Sequence, residues 1–198
     1  KHQYDFDSAS CLALIRKTGL ENEIKLNIEV NHATLSGHNF EHEIAYAISN
    51  NVLGSIDINR GDTLLGWDTD QFPNNAHDLL MPFYYIFSND GLKQGGLNFD
   101  AKIRRQSIDP EDLFYAHIGG MDVAARVLLA VEKMINDKIL PKYVEDRYSN
   151  WNNELGTFIH DKNNDLESIA SIVINENLEP EPKSGQQELL ENILNKYL

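Results

Sequence analysis

The residues of this sequence best suited to chemistry are a glutamate and a histidine three positions apart, Glu29 and His32. Glu29 ends a short apolar stretch that is typical of a β-strand, and His32 lies just beyond it in the segment N-I-E-V-N-H. A carboxylate at a strand end and an imidazole three residues later can converge on one cation. Oxygen ligands favour hard divalent ions, and one imidazole admits Mn²⁺ or Co²⁺ as well.

More carboxylates occur at or near the ends of later predicted strands, at Asp57, Asp68, Asp70 and Asp100. The C-terminal ends of successive parallel strands face one mouth of a barrel, where barrel enzymes place their chemistry. Glu29, Asp57 and Asp100 match this arrangement on three strands, and the remaining candidates follow on adjoining loops. Acids gathered in this way would repel one another without a cation. We therefore predict six ligands at one mouth, enough for two cations if one ligand bridges them.

Each candidate also has a purely structural interpretation. An aspartate near a strand end often caps a helix, a single histidine is more often hydrogen-bonded within a loop, and Asp68 alone would be typical of a turn. Lys102 lies two residues after Asp100, so it can neutralise the acids, hold a water or substrate oxygen, or form a surface salt bridge. Trp67 can line a polyol pocket or simply pack.

Two short patterns are treated as chance matches. Residues 38–42 read H-N-F-E-H, the H-x-x-E-H pattern of inverted zinc peptidases, at a predicted helix start. The spacing places no third ligand, so we discount a zinc site. Arg60-Gly61-Asp62 is a cell-adhesion tripeptide, which does not suit a cytoplasmic chain.

Composition limits the class of protein. The 198 residues suffice for one domain with a sizeable core. A formal net charge of −14 opposes general binding to nucleic acids and to anionic membranes. The single Cys11 excludes an intrachain disulfide framework and favours a reducing cytoplasm. We identify no signal peptide and no apolar run of about 18 residues, so we expect no membrane span. The start at Lys1, without a methionine, is typical of a fragment or a processed product.

The elements that must position the candidates alternate between helix and strand. We predict strands at 24–30, 52–58 and 95–100, helices at 8–17, 40–49, 76–87 and 109–138, and a long loop at 59–72. Asp7 or Ser8 is expected to cap the first helix and Gly19 to end it, while Ser36 or Gly37 opens the second. Gly119-Gly120 is the predicted weak point of the last helix. Strands and helices that alternate with short connections predict an α/β fold with a parallel sheet.

The pattern changes beyond residue 140. Short helices are expected at 144–148, 152–160, 166–175 and 186–197, with Pro180-Glu181-Pro182 as a linker between the last two. This part has no strand signal and no cluster that suggests catalysis. We therefore divide the chain into residues 1–139, which carry the strand ends, and residues 140–198, a helical arm for association with another subunit.

Four segments of the chain resemble xylose isomerase of the larger-chain class. They are 27–38 (N-I-E-V-N-H-A-T-L-S-G-H), 54–61 (G-S-I-D-I-N-R-G), 65–73 (L-G-W-D-T-D-Q-F-P) and 95–106 (G-G-L-N-F-D-A-K-I-R-R-Q). Residues 112–122 (D-L-F-Y-A-H-I-G-G-M-D) and 185–198 are similar to a late helix and the C-terminus of that family. The resemblance extends over essentially the whole chain.

The resemblance implies a (β/α)8 TIM barrel that holds two divalent ions, Mg²⁺ or alternatively Mn²⁺ or Co²⁺. It implies that Glu29 bridges both ions, that Asp57 and Asp100 hold a structural ion, and that His32, Asp68 and Asp70 hold a catalytic ion. Lys102 falls where the family has a lysine beside the last ligand, so Asp70, Lys102 and His32 are the implied catalytic residues. The implied reaction interconverts D-xylose and D-xylulose, and D-glucose and D-fructose, by a metal-assisted hydride shift. The family also implies a homotetramer.

The resemblance also implies missing parts. The family's first metal-binding glutamate and a catalytic lysine lie in a Glu-Pro-Lys-Pro run before the position of Lys1, and its ring-opening His–Asp pair lies earlier still. We expect this chain to be the C-terminal half, with the last three or so βα units and the arm, and to need the N-terminal half of the barrel as a partner for an aldose substrate. Two alternatives stay open: a metal-dependent hydrolase of a related barrel type, such as an endonuclease, and an inactive fragment that only folds or associates.

Overall fold

The computed structural model describes residues 3–179 and 181–198, so Lys1, His2 and the linker residue Pro180 lie outside the described residues. The described residues form two compact units. One runs up to Ile135 and includes Tyr197 and Leu198, and the other is Asn136–Lys196. The association role of the second part stays a prediction.

Nine α-helices and five strands follow one another along the described residues. In chain order they are α1 (Ser8–Thr18), β1 (Leu26–Glu29), α2 (Val30–Ser36), α3 (Phe40–Ser49), β2 (Leu53–Asp57), β3 (Arg60–Asp62), β4 (Trp67–Gln71), α4 (Ala76–Ser88), β5 (Leu97–Asn98), α5 (Pro110–Asp137), α6 (Ile139–Arg147), α7 (Glu154–His160), α8 (Leu166–Asn175) and α9 (Gln187–Asn195). A short 3-10 helix, Ser149–Asn152, precedes α7.

The centre of the first unit is a three-stranded parallel sheet. Its order is β1-β2-β5, with Glu29 opposite Asp57 and Asp57 opposite Asn98. These pairs place the C-terminal ends of all three strands at one edge. The structure therefore confirms an α/β fold with parallel strands, whereas the closed barrel stays a proposal because a barrel of this type takes eight strands.

Helix α1 begins and ends where its sequence indicates. The Asp7 side chain accepts a hydrogen bond from the Ser10 backbone N–H at 2.7 Å, and Gly19 closes the helix at φ +70°. An extended Asp at the N-cap satisfies a backbone donor that the helix leaves free, and glycine tolerates the left-handed turn. Leu12 and Ile15 are buried on its inner face.

Helix α2 was not predicted, and the sequence analysis wrongly placed His32 on a loop. The helix follows β1 directly and ends at Gly37, which has φ +93°. Its first position lacks a capping side-chain hydrogen bond, and Val30 and Thr34 are β-branched, so local signals for a helix are weak. Burial of Val30 and Ala33 stabilises the helix through tertiary packing instead.

The long loop predicted at 59–72 contains an antiparallel hairpin of β3 and β4. Gly66, at φ +68°, lies in the turn between the strands. Asp68 and Asp70 therefore lie on a strand rather than on a loop. The hairpin was not predicted because the segment W-D-T-D-Q does not alternate apolar and polar residues as a half-buried strand does. Among these five residues only Thr69 is buried.

Helix α3 packs on β1, β2 and α4. Its N-cap is Asn39, whose side chain accepts from the His42 backbone N–H at 2.7 Å, not the predicted Ser36 or Gly37. Ile44 of α3, Ile56 of β2 and Phe83 of α4 have no exposed surface. Burial of each such side chain contributes about 1.5–3 kcal/mol. This core fixes the strands at whose ends the acids lie.

Helix α5 continues without a break through the predicted weak point. A Cβ on Gly120 would lie 3.2 Å from the Phe99 ring and 3.3 Å from the Phe72 ring, so glycine permits the close approach of both rings. Among the described residues, α5 is also the one helix that is long and apolar enough to cross a membrane. Buried core helices of other proteins have the same length and composition, so this is weak evidence of a membrane span. No apolar run of this length was predicted from the sequence, and the absence of a membrane span stays a prediction.

The second unit is helical, and its described residues contain no strand, as predicted. Its first helix, α6, begins at Ile139 rather than at 144. Asp165 and Ser168 form a capping box that starts α8 at the predicted residue. Within this unit the Lys183 ammonium lies 2.6 Å from an Asp146 carboxylate oxygen.

Candidate metal centre

Three carboxylates meet at the ends of the parallel strands. Glu29 ends β1, Asp57 ends β2, and Asp100 follows β5 by two residues. One oxygen from each lies within 4.8 Å of the other two. We call these residues the strand-end group. The parallel register produces the group, because it aligns residues that lie far apart in the chain.

A second group combines Glu29 with His32 and Asp68, and we call it the histidine group. His32 Nε2 lies 3.4 Å from a Glu29 oxygen and 3.2 Å from an Asp68 oxygen. Helix α2 makes this possible, because one helical turn returns the imidazole toward the strand end. Strand β4 supplies Asp68 from the other side.

Glu29 belongs to both groups, so one carboxylate can contact two cations. Together the two groups offer one imidazole nitrogen, from His32, and four carboxylates, from Glu29, Asp57, Asp68 and Asp100. This set fits hard divalent ions such as Mg²⁺ and Mn²⁺. The fit is electrostatic as well, because the strand-end group gathers three negative charges that a divalent ion would compensate.

Burial shifts the acid–base behaviour of the shared residue. The Glu29 side chain is only 11% exposed, and burial raises the pKa of Glu29 above its usual value, while a hydrogen bond from Asn59 partly opposes the shift. The pKa of Asp68 is raised by burial and then by the hydrogen bond and charge of Asp70. Both residues therefore hold protons more readily than free carboxyls in the metal-free chain.

Asp70 lies beside these groups rather than within either of them. The Lys102 ammonium lies 2.5 Å from its Oδ2. Hydrogen bonding with Asp68 and then with Lys102 lowers the pKa of Asp70. The two aspartate side chains thus face the same side, while Lys102 contacts Asp70. A ligand role for Asp70 and a catalytic role for Lys102 stay predictions.

The backbone at Asp70 is strained. Its φ of +41° is uncommon for a residue other than glycine. The Lys102 N–H donates to the Asp70 carbonyl oxygen at 2.8 Å, and the Arg104 guanidinium donates to the Thr69 carbonyl at 2.5 Å. These contacts hold the strained backbone of β4 at Asp70, and Arg104 was not identified from the sequence.

Four asparagines among the described residues contact the candidate ligands, and none of them was identified from the sequence. Asn27 and Asn98 donate to Asp57 at 2.6 and 3.2 Å. Asn59 donates to Glu29 at 2.6 Å, and Asn31 donates to Asp68. Amide side chains are uncharged, so they do not stand out in a sequence as carboxylates do. Only their closeness in sequence to the candidate ligands could have identified them. Asn31 precedes His32, and Asn59 lies two residues after Asp57.

A cleft borders the histidine group. Its volume is about 440 Å³, and its lining includes His32, Trp67 and Asp68. A cleft of this size suits a small molecule. The Trp67 side chain is 59% exposed, so it does not serve the core. The interpretation of Trp67 as a wall of the cleft therefore fits better than simple packing.

The H-x-x-E-H segment does not form the site that its pattern names. Glu41 accepts a hydrogen bond from the Tyr85 hydroxyl at 3.1 Å, and burial followed by this glutamate raises the pKa of Tyr85 to about 12. Glu43, rather than Glu41, lies with His38 and His42. Its two oxygens already contact the His38 ring and the Ser8 N–H, so protein donors satisfy this buried carboxylate.

Comparison with known proteins gives relatives for the whole chain. Residues 144–198 match the model of the XylA2 C-terminal domain. Over all 198 residues the chain is 56% identical to a xylose isomerase of Histophilus somni, 54% to one of Haemophilus influenzae and 52% to one of Mesorhizobium japonicum. In each case the match includes 100% of this chain and 45% of the relative.

The chain thus spans less than half the length of the curated relatives that it matches. The matched part is their C-terminal 45%. Long unbroken similarity above 50% identity, together with the domain match, leaves no ambiguity about descent. Over its whole length the chain is homologous to xylose isomerases and corresponds to the C-terminal part of these relatives.

Proposed function

We propose that this chain supplies most of the dinuclear metal site of a xylose isomerase, which interconverts D-xylose and D-xylulose and also D-glucose and D-fructose. The observation that carries the proposal is the sharing of Glu29 between the strand-end group and the histidine group. Two divalent ions, Mg²⁺ or alternatively Mn²⁺ or Co²⁺, would act as Lewis acids on sugar oxygens and so assist a hydride shift between C2 and C1.

The residues of this chain have distinct tasks in that reaction. Asp57 and Asp100 would hold one ion with Glu29, and His32, Asp68 and Asp70 would hold the other. The hydrogen bond and then the charge of Asp70 raise the pKa of Lys102, so its ammonium stays protonated and can donate to Asp70 or to a sugar oxygen.

The cleft beside the histidine group would receive the substrate. Trp67 presents an apolar ring there, next to the polar Asp68. An aldose has apolar C–H faces and polar hydroxyl edges, so this pairing suits it. The ring would also exclude water from one side of the reacting carbons.

The proposal includes a partner, the N-terminal half of a (β/α)8 barrel. Three parallel strands cannot close a barrel of eight, and β1 and β5 are the outer strands of the described sheet. Open parallel edges and an uncovered face are unfavourable. We further propose a cytoplasmic homotetramer in which the helical arm mediates association.

The test uses a hybrid protein, in which the N-terminal part of the Histophilus somni relative is joined to this chain. We expect the hybrid protein to convert D-xylose in the presence of Mn²⁺, and the 198-residue chain alone to be inactive and poorly soluble, swapped or oligomeric. Both should fail to cleave DNA with abasic sites. A monodisperse, active monomer of the chain alone would refute the partner requirement, and nuclease activity would favour the hydrolase.

A further inference from the structure

Two asparagines occupy the interior of the candidate metal centre. Asn31 is 1% exposed and Asn59 is 2% exposed, and they are the only fully buried asparagines among the residues that the structure describes. An amide buried this deeply must have its polar atoms satisfied, since an unpaired one costs about 1–3 kcal/mol. Their partners therefore indicate why they are there.

Asn59 connects three elements with one side chain. Its Oδ1 accepts from the Asn31 backbone N–H at 2.9 Å. Its Nδ2 donates to a Glu29 carboxylate oxygen at 2.6 Å and to the Asp100 carbonyl oxygen at 2.9 Å. The side chain thus joins the end of β1, the start of α2 and the segment after β5.

Asn31 extends the connection to the hairpin. Its Nδ2 donates to Oδ1 of Asp68 on β4, while its backbone N–H is held by Asn59. The other oxygen of Asp68, Oδ2, is the one that faces His32. One Asp68 oxygen is therefore fixed by the protein, and the other is directed toward the histidine group.

Gly61 of β3 leaves room for the Asn31 amide. A Cβ at this position would lie 1.8 Å from Asn31 Oδ1 and 2.6 Å from its Cγ. Any side chain here must therefore displace the amide from Asp68. This steric need gives the glycine of the Arg60-Gly61-Asp62 tripeptide a role in the site.

We propose that Asn31 and Asn59 are positioning residues of the metal centre, with Gly61 as the steric partner of Asn31. The inference rests on the proposed function. Asn59 orients Glu29, the shared ligand, so it acts on both groups. Asn31 orients Asp68 and also hydrogen-bonds to Asp70, and both are proposed ligands of the same ion, so Asn31 acts on that ion alone. Partners of metal ligands typically change metal affinity by about 10–100-fold when they are lost.

The experiment is a Mn²⁺ titration of the hybrid protein, monitored by calorimetry and by the electron paramagnetic resonance signal of bound Mn²⁺. Asn31→Leu fills the space but removes the donors, and Gly61→Ala displaces the intact amide. Both should weaken one of two binding steps by about 10–100-fold and leave the other unchanged. Asn59→Leu should weaken both steps.

The matched control is Asn50→Leu. Asn50 accepts from Arg16 at 2.9 Å and donates to the Tyr46 carbonyl, and it contacts no candidate ligand. This variant should bind like the wild type. A general loss of structure cannot weaken a single step, so the selective loss in both the Asn31 and Gly61 variants distinguishes positioning from folding.

The binding constants distinguish failure of the positioning role from failure of the proposed function. Wild-type binding constants in Asn31→Leu or Gly61→Ala would overturn the positioning role while the wild type still binds two ions and the proposed function stands. Equal loss of both steps in Gly61→Ala would also overturn it. A wild-type hybrid protein that binds no Mn²⁺ would instead overturn the proposed function, and this inference with it.

Discussion

Replacement of Glu29 by glutamine is expected to raise stability without metal and to lower it with metal. Glu29 has an oxygen within 4.8 Å of an oxygen of Asp57, Asp68 and Asp100. Two unit charges at that distance repel by about 3.5 kcal/mol at an effective dielectric constant of about 20. Because Asp68 and Asp100 are exposed, solvent reduces the net effect, and we expect Glu29→Gln to stabilise the metal-free protein by about 1–2 kcal/mol.

The sign of this difference depends on pH and on metal. The pKa of Glu29 is raised by burial, so its charged form costs stability above that pKa, and the cost disappears as acid protonates the wild type. The advantage of the variant should therefore be full near pH 7 and vanish below about pH 4. Mn²⁺ at about 100 times its dissociation constant should stabilise the wild type by about 2.7 kcal/mol and the variant much less.

The assay is urea unfolding of the hybrid protein in EDTA and in Mn²⁺. The matched control is Glu23→Gln, which makes the same chemical change at an exposed position outside both groups. We expect the order of stability between wild type and Glu29→Gln to reverse on addition of Mn²⁺. The reasoning is refuted if the variant is the less stable protein in EDTA, or if Mn²⁺ stabilises both proteins equally.

Three further predictions concern single features of the first unit. Asp70→Asn should weaken one Mn²⁺ binding step about 10-fold or more and spare the other, as titration would show; loss of both steps would contradict this. Since burial raises the pKa of Glu29 and Asp68, protons should displace Mn²⁺ as the pH falls from 7 toward 4, and metal content that stays constant would argue against an oxygen-rich site. Gly119→Ala, with open space at its Cβ, should stabilise α5 by about 0.5–1 kcal/mol, whereas Gly120→Ala should lose that gain against two phenylalanine rings; equal thermal shifts would refute the packing account.

The parts of the fold with strong local signals were predictable from sequence. The Asp7 cap and Gly19 stop define α1, and a capping box starts α8 at Leu166. Helix α2 and the hairpin depend on contacts distant in sequence. The apolar residues of α2 and of the hairpin do not follow a clear helical or strand periodicity, so the sequence predicted loops at both places.

The candidate site shows the same division. Carboxylates at strand ends are visible in a sequence because charge interrupts an apolar run, and this identified Glu29, Asp57 and Asp100. The amides that orient them are invisible in that way, because the partners of Asn31 and Asn59 lie 28 to 41 residues away. Their role follows only from the packed structure.

The central claim, that one carboxylate serves two ions, is tested most directly by anomalous diffraction from crystals of the hybrid protein with Mn²⁺. Two anomalous peaks are predicted in each subunit, and each marks a Mn²⁺ ion bound to an oxygen of Glu29. One ion should also bind Asp57 and Asp100, and the other His32 and Asp68. A single peak, or Mn²⁺ bound at His38, His42 and Glu43 with no peak at Glu29, would contradict the account.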